Sequence, residues 1–253
     1  LAKININKQL QLYRDYVLPI ATTERNKIIP KDSIVKDTFG LLEQLGFFIL
    51  KFPSFDDNLS GFYINKSGFK CVYVNSKHTL GRQFFSAWHE YYHVVTGEGG
   101  GVSLFDQMKE DIVECKAELF AGYILMPENL VFNYIKKNQL NLKYLSHNQI
   151  IRMQNYFKVS YTAMIKRLTI LFPEYNNLGV LYGLGNKNRH EELCKKTIKL
   201  GGDITLIKPT NNFYVSQQFK TDVLENLKMD RIDEGRAEVL LNLNKDNISE
   251  LNK

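Results

Sequence analysis

Residues 89–93, His-Glu-Tyr-Tyr-His, constrain this chain more than any other stretch of it. On a helix, side chains four positions apart lie one turn apart on the same face, so His89 and His93 can offer both imidazoles to one metal ion. Glu90 follows the first histidine directly and can lean over an open coordination position as a general base. Two nitrogen ligands with an adjacent carboxylate form the pattern of zinc hydrolases. The chain has five histidines. Chance would place two of them around a glutamate in this way in roughly one such chain in a hundred. The helix carrying them is predicted over about 82–95, with Phe84, Trp88, Tyr91 and Val95 as its apolar stripe.

Composition limits the alternatives. In 253 residues, 44% hydrophobic and 24% charged, there is material for one large domain or two modest ones. No apolar run reaches the roughly eighteen residues of a membrane span, and the first residues lack the apolar core of a secretion signal. Three cysteines (Cys71, Cys115 and Cys194) are an odd number without Cys-x-x-Cys spacing, which argues against a disulfide framework and for a cytoplasmic location. The net charge of +6 suits nucleic acid or an acidic partner, but it is spread along the chain rather than massed, so the charge alone decides nothing.

Along the chain, residues 8–19 have helical spacing before Pro19, and a polar stretch to Pro30 reads as a linker. Asp32 and Ser33 are placed to cap a second helix ending near Leu45–Gly46. Strands are expected at 47–52, 61–64 and 69–75, the last two around an Asn-Lys-Ser-Gly turn. The glycines of 97–101 end the metal helix and read as a flexible connection. Ser103 and Asp106 resemble a capping box for a helix running to Met126, which Pro127 stops. Helices are further expected over 148–171, broken at Lys158-Val159-Ser160, and over 190–200 and 231–243. Strand-like runs occur at 179–184, 204–209 and 213–219.

A catalytic zinc needs a third protein ligand. Metzincins place it as a histidine six residues after the second, with a glycine between; Thr96 and Gly99 occupy those slots here, which excludes that class. A carboxylate from another helix is the alternative. Glu110, Glu114 and Glu118 recur at i, i+4 and i+8, with Ala117 and Ala121 on the same face. Apolar residues cover most of the rest of this helix, so it is predicted to be buried, and buried carboxylates require a cation or a partner.

Taken together, Phe85-Ser86-Ala87-Trp88-His89-Glu90-Tyr91-Tyr92-His93 and Glu114-x-x-Ala117-Glu118-Leu119-Phe120-Ala121-x-x-Ile124-Leu125-Met126-Pro127 resemble the ImmA/IrrE metallopeptidases. Gly61-Phe62, Val74-Asn75, Phe157-Lys158-Val159-Ser160 and Arg167-Leu168 add to the likeness, which spans about 35–172. Trp88, Tyr92, Lys116 and Glu118 depart from the family's usual residues, while the ligands and the base are kept. The resemblance implies a glutamate-type zincin in which Zn²⁺ is held by His89, His93 and Glu114. It further implies that Glu118 orients a ligand histidine from outside and that Glu90 activates a zinc-bound water. It implies a cytoplasmic endopeptidase whose protein substrate is a helix-turn-helix transcriptional repressor. The alternative is a non-hydrolytic zinc-site module that regulates a repressor or DNA by occupancy.

The expected fold is α+β. A minimal zincin core over 35–145, a small mostly antiparallel sheet packed on the His-Glu-x-x-His helix, follows an N-terminal helix and linker over 1–34. A helix-turn-helix-like pair over 146–173 comes next, then a small C-terminal α/β region over 174–253. Tyr161, Thr162, Lys166 and Arg167 of the helix pair are the residues available to DNA, but packing against the peptidase is the favoured role of this pair. An extended substrate is expected to add to the 69–75 strand if that strand lies at a sheet edge.

Overall fold

The computed structural model describes residues 2–66, 68–99, 102–104 and 112–241, with side chains from residue 13 onward and not for 102–104. Helix α1 runs Ala2–Ile28, straight through Pro19 and through the polar stretch expected to be a linker. A proline inside a helix removes one backbone hydrogen bond. Tertiary packing outweighs that loss, because Val17 and Ala21 are buried and α1 lies along α4 (Ile112–Leu125). Arg25 locks the far end, donating to the carbonyls of Ile124 and Ser33.

Helix α2 (Thr38–Gln44) is shorter than expected, and its cap is Asp37, which accepts from the Gly40 amide, rather than Asp32 or Ser33. Three strands follow: β1 (Phe48–Phe52), β2 (Leu59–Lys66) and β3 (Phe69–Asn75). The β2–β3 hairpin is antiparallel, and Gly68 takes the positive φ its turn needs. After α3 (Leu80–Thr96), residues Val102–Leu104 form β4, which pairs with β2. Ser103 is therefore in a strand and not a helix cap, and Asp106 lies outside the described residues. With β5 (Tyr214–Val215) the sheet order is β4-β2-β3-β1-β5, and only the β1–β3 pair is parallel. The mixed α+β architecture is that of a small sheet with α3 packed on it.

The sheet order corrects one expectation: β3 is interior, flanked by β2 and β1, so its edges are already paired. Among the described strands the ends of the sheet are β4 and β5.

Helix α3 packs on β2 and β3 on one side and on α4 on another. Trp88 is fully buried in this layer and donates from Nε1 to Thr38 Oγ1 at 3.2 Å, which satisfies the one polar group of a large apolar side chain. Ala117 and Ala121 are also fully buried, and their small size lets α4 approach α3. Helices α5 (Glu128–Lys137), α6 (His147–Phe157) and α7 (Tyr161–Leu171) continue the same apolar core. Lys158 links α6 to α7 in the left-handed conformation, and Ser146 and Gln149 form a capping box at the start of α6.

In the C-terminal region α8 (His190–Lys199) and α10 (Glu234–Leu241) fall where helices were expected. Two strand-like runs are instead 3-10 turns, 176–185 and 204–207, and the third holds only β5 before α9 (Gln217–Lys228). Apolar runs of four to six residues suit a buried turn as well as a strand, and here Leu178, Leu181 and Leu184 bury every third residue, the period of a 3-10 helix.

Candidate metal centre

His89 and His93 lie one turn apart on α3, both 2% exposed, and their Nε2 atoms are 3.3 Å apart. Glu114, near the start of α4, completes a triangle: Oε2 is 2.9 Å from His89 Nε2 and Oε1 is 3.5 Å from His93 Nε2. These three side chains form the one potential metal-holding group found among the described residues. For ligand bonds of about 2.0–2.1 Å, the edge of a tetrahedral zinc site is about 3.3 Å. The observed separations of 2.9, 3.3 and 3.5 Å bracket that edge, so the donors fit a single small divalent cation. Two imidazoles and a carboxylate, with no thiolate, are also the donor set of a catalytic rather than a structural site.

The electrostatics agree with this. Burial pushes the His89 proton affinity down, but the hydrogen bond to Glu114 and the charges of Glu90, Glu114 and Glu118 outweigh it and raise the pKa. For Glu114, burial pushes the carboxyl up, and the hydrogen bond with His89 and the nearness of both imidazoles bring it below its ordinary value. Both shifts have one cause, imidazoles and a carboxylate held close together, and a cation bound among them would take the place of a proton.

His93 is oriented by its surroundings. His93 Nδ1 is 2.9 Å from the carbonyl oxygen of Glu98, which fixes the tautomer that leaves Nε2 as the ligand atom. Tyr63 of β2 lies parallel to the His93 ring, 8° between planes and 6.1 Å between centroids. The glycine stretch makes this possible. Gly97 ends α3 at φ +67°, and Gly99 at φ +72° runs so close that a Cβ there would sit 2.9 Å from His93 Nδ1. Of the segment read as a flexible connection, residues 97–99 therefore cover one face of His93, and 100–101 lie outside the described residues. Glu98 carried no signal in the sequence, because its contribution to His93 is a backbone carbonyl.

Glu90 is 1% exposed, and its carboxyl lies against β2 where Gly61 has no side chain; a Cβ on Gly61 would be 3.4 Å from Glu90 Oε1. Glu118 is one turn beyond Glu114 and is ion-paired with Lys166 of α7. It acts on His89 as a nearby charge, while His89 Nδ1 is buried without a hydrogen-bond partner among the described residues. Glu110 lies outside the described residues. His78, His147 and His190 are not part of the group.

Two of the four residues held in view for DNA are internal. Arg167 is 2% exposed, donates to the Met126 carbonyl and stacks over the Tyr123 ring, and Tyr161 bonds the Leu181 carbonyl from within the core. Lys166 and Thr162 alone of the four are at the surface.

A mixed sheet, a buried His-Glu-x-x-His helix and a carboxylate from a second helix define a metal-dependent peptidase centre. A family model described as the IrrE N-terminal-like domain, a peptidase family, matches residues 42–169, about half of the chain and the whole of this site. The chain belongs to that family. No curated protein matches the chain as a relative.

Proposed function

We propose that the chain is a zinc-dependent endopeptidase of the glutamate type, cytoplasmic, and that it cleaves a transcriptional repressor of the helix-turn-helix kind. The observation that carries the reading is the triangle of His89, His93 and Glu114 with Glu90 buried beside it. A zinc ion held by His89, His93 and Glu114 would supply a water of lowered pKa, toward about 7, and a Lewis acid for the scissile carbonyl.

The chain's own residues do the rest. Glu90 accepts the proton of the attacking water and later delivers it to the leaving amine. Its burial against the β2 backbone keeps it desolvated and fixed in place. Glu118 adds negative charge near His89 while Lys166 balances it. An extended substrate pairs with β4, an end of the sheet among the described strands. The repressor as substrate rests on the family likeness, and the cytoplasm on that likeness and on an odd number of cysteines without Cys-x-x-Cys spacing.

The test is incubation with helix-turn-helix repressors from the same genome, any encoded beside it first, with and without chelator, followed by mass analysis of the products. Defined fragments that vanish on chelation and in Glu90→Gln support the reading. Capture of an intact repressor by both proteins would instead establish regulation by occupancy.

A further inference from the structure

The carbonyl that orients His93 belongs to a residue flanked by two glycines, Gly97 and Gly99. Glycine backbone is the most permissive there is, so such a stretch has no local reason to keep one carbonyl aimed at an imidazole. What holds it is the side chain of the same residue. Glu98 Oε1 accepts from Tyr16 Oη at 2.6 Å, Oε2 accepts from Tyr92 Oη at 2.7 Å, and Lys116 Nζ reaches Oε2 at 3.0 Å. These partners come from α1, α3 and α4 in turn, and Lys116 also lies 4.3 Å over the Tyr16 ring. The Glu98 amide is tied as well, to Thr96 Oγ1 at 3.1 Å.

We propose that Glu98 is a positioning residue of the metal centre. Its carboxylate, clamped by Tyr16, Tyr92 and Lys116, holds its own carbonyl on His93 Nδ1 and so couples the N-terminal helix to a ligand. The inference rests on His93 being a ligand. Lys116 thereby has a role two residues after Glu114: one helix carries both a ligand and a strut for another. Loss of the Tyr16 contact, through displacement of α1, loosens the orientation of His93.

Metal affinity, rather than turnover, reads this coupling. Zinc and cobalt dissociation constants are measured by chelator competition for the full chain and for Glu98→Ala, Glu98→Gln and Tyr16→Phe, with the visible spectrum of the cobalt-loaded proteins as a record of ligand geometry. Loss of an outer partner of a metal-bound histidine weakens binding by about tenfold or more. Glu98→Ala is expected to show that loss with an altered cobalt spectrum. Glu98→Gln should recover part of it, since its amide oxygen still accepts from a tyrosine, and Tyr16→Phe should show a smaller loss. Glu98→Ala with unchanged affinity and spectrum overturns the proposal and leaves the metal site standing. Failure of the unmodified chain to bind either ion overturns both. Should Glu98→Ala not fold, the double variant Tyr16→Phe/Lys116→Met, altered at partly exposed sites, decides in the same way.

Discussion

At the residue scale the proposed mechanism gives binding to His89, His93 and Glu114 and proton transfer to Glu90. Glu90 is not among the residues that can share the ion, although it neighbours one of them. Glu90→Gln is therefore expected to retain one zinc per chain and lose about 10²–10⁴-fold in turnover, measured as metal content beside cleavage rate. The pair His89–Glu114 makes a second prediction. Metal must displace the proton that the raised His89 pKa retains, so zinc affinity falls as pH drops through that value and levels off above it, as zinc titrations across that range would show. In the metal-free protein the sign differs by partner. The contribution of His89 is full below its unfolded pKa of about 6.5 and is lost as pH rises through the higher folded value. That of Glu114 is full above its unfolded pKa of about 4.3 and is lost as pH falls through the lower folded value. The metal-free Tm should thus be highest between the two unfolded values of about 4.3 and about 6.5 and fall as pH moves outside that window toward the folded ones.

At the element scale the centre depends on how near α4 stands to α3. Ala117 is fully buried on the helix that carries Glu114. Ala117→Leu is expected to cost about 1–3 kcal/mol by overpacking. It should also weaken zinc binding by separating the carboxylate from the imidazoles, as denaturant unfolding and metal titration would show. A variant that is destabilised but binds zinc normally would mean that the interhelical distance does not set the site. The metal helix and its partner were legible because they obey simple periods: histidines at i and i+4, glutamates and alanines at the same interval. Less was legible where tertiary contacts override local signals. Pro19 marked an end to α1 that packing on α4 overrules, and the glycine stretch looked mobile because the contact it makes, a carbonyl on His93, belongs to no side chain. The place of β3 inside the sheet was likewise hidden, since strand order is set by pairing between distant segments such as β1 and β5.

At the scale of the whole molecule, an ion held by His89, His93 and Glu114 would be a clasp between α3 and α4, with Tyr16–Glu98 and Lys166–Glu118 tying α1 and α7 to the same two helices. A cation that binds only the folded chain stabilises it by about 2.7 kcal/mol at a hundredfold excess over its Kd. Chelation should lower the Tm of the unmodified chain by several degrees and leave that of His93→Ala unmoved, as parallel thermal melts would reveal. The most direct test of the account is zinc K-edge X-ray absorption on the purified, zinc-loaded protein. It should show one zinc with two imidazoles and oxygen donors at about 2.0–2.1 Å and no sulfur. A sulfur shell at about 2.3 Å, or zinc without imidazole scattering, would contradict it.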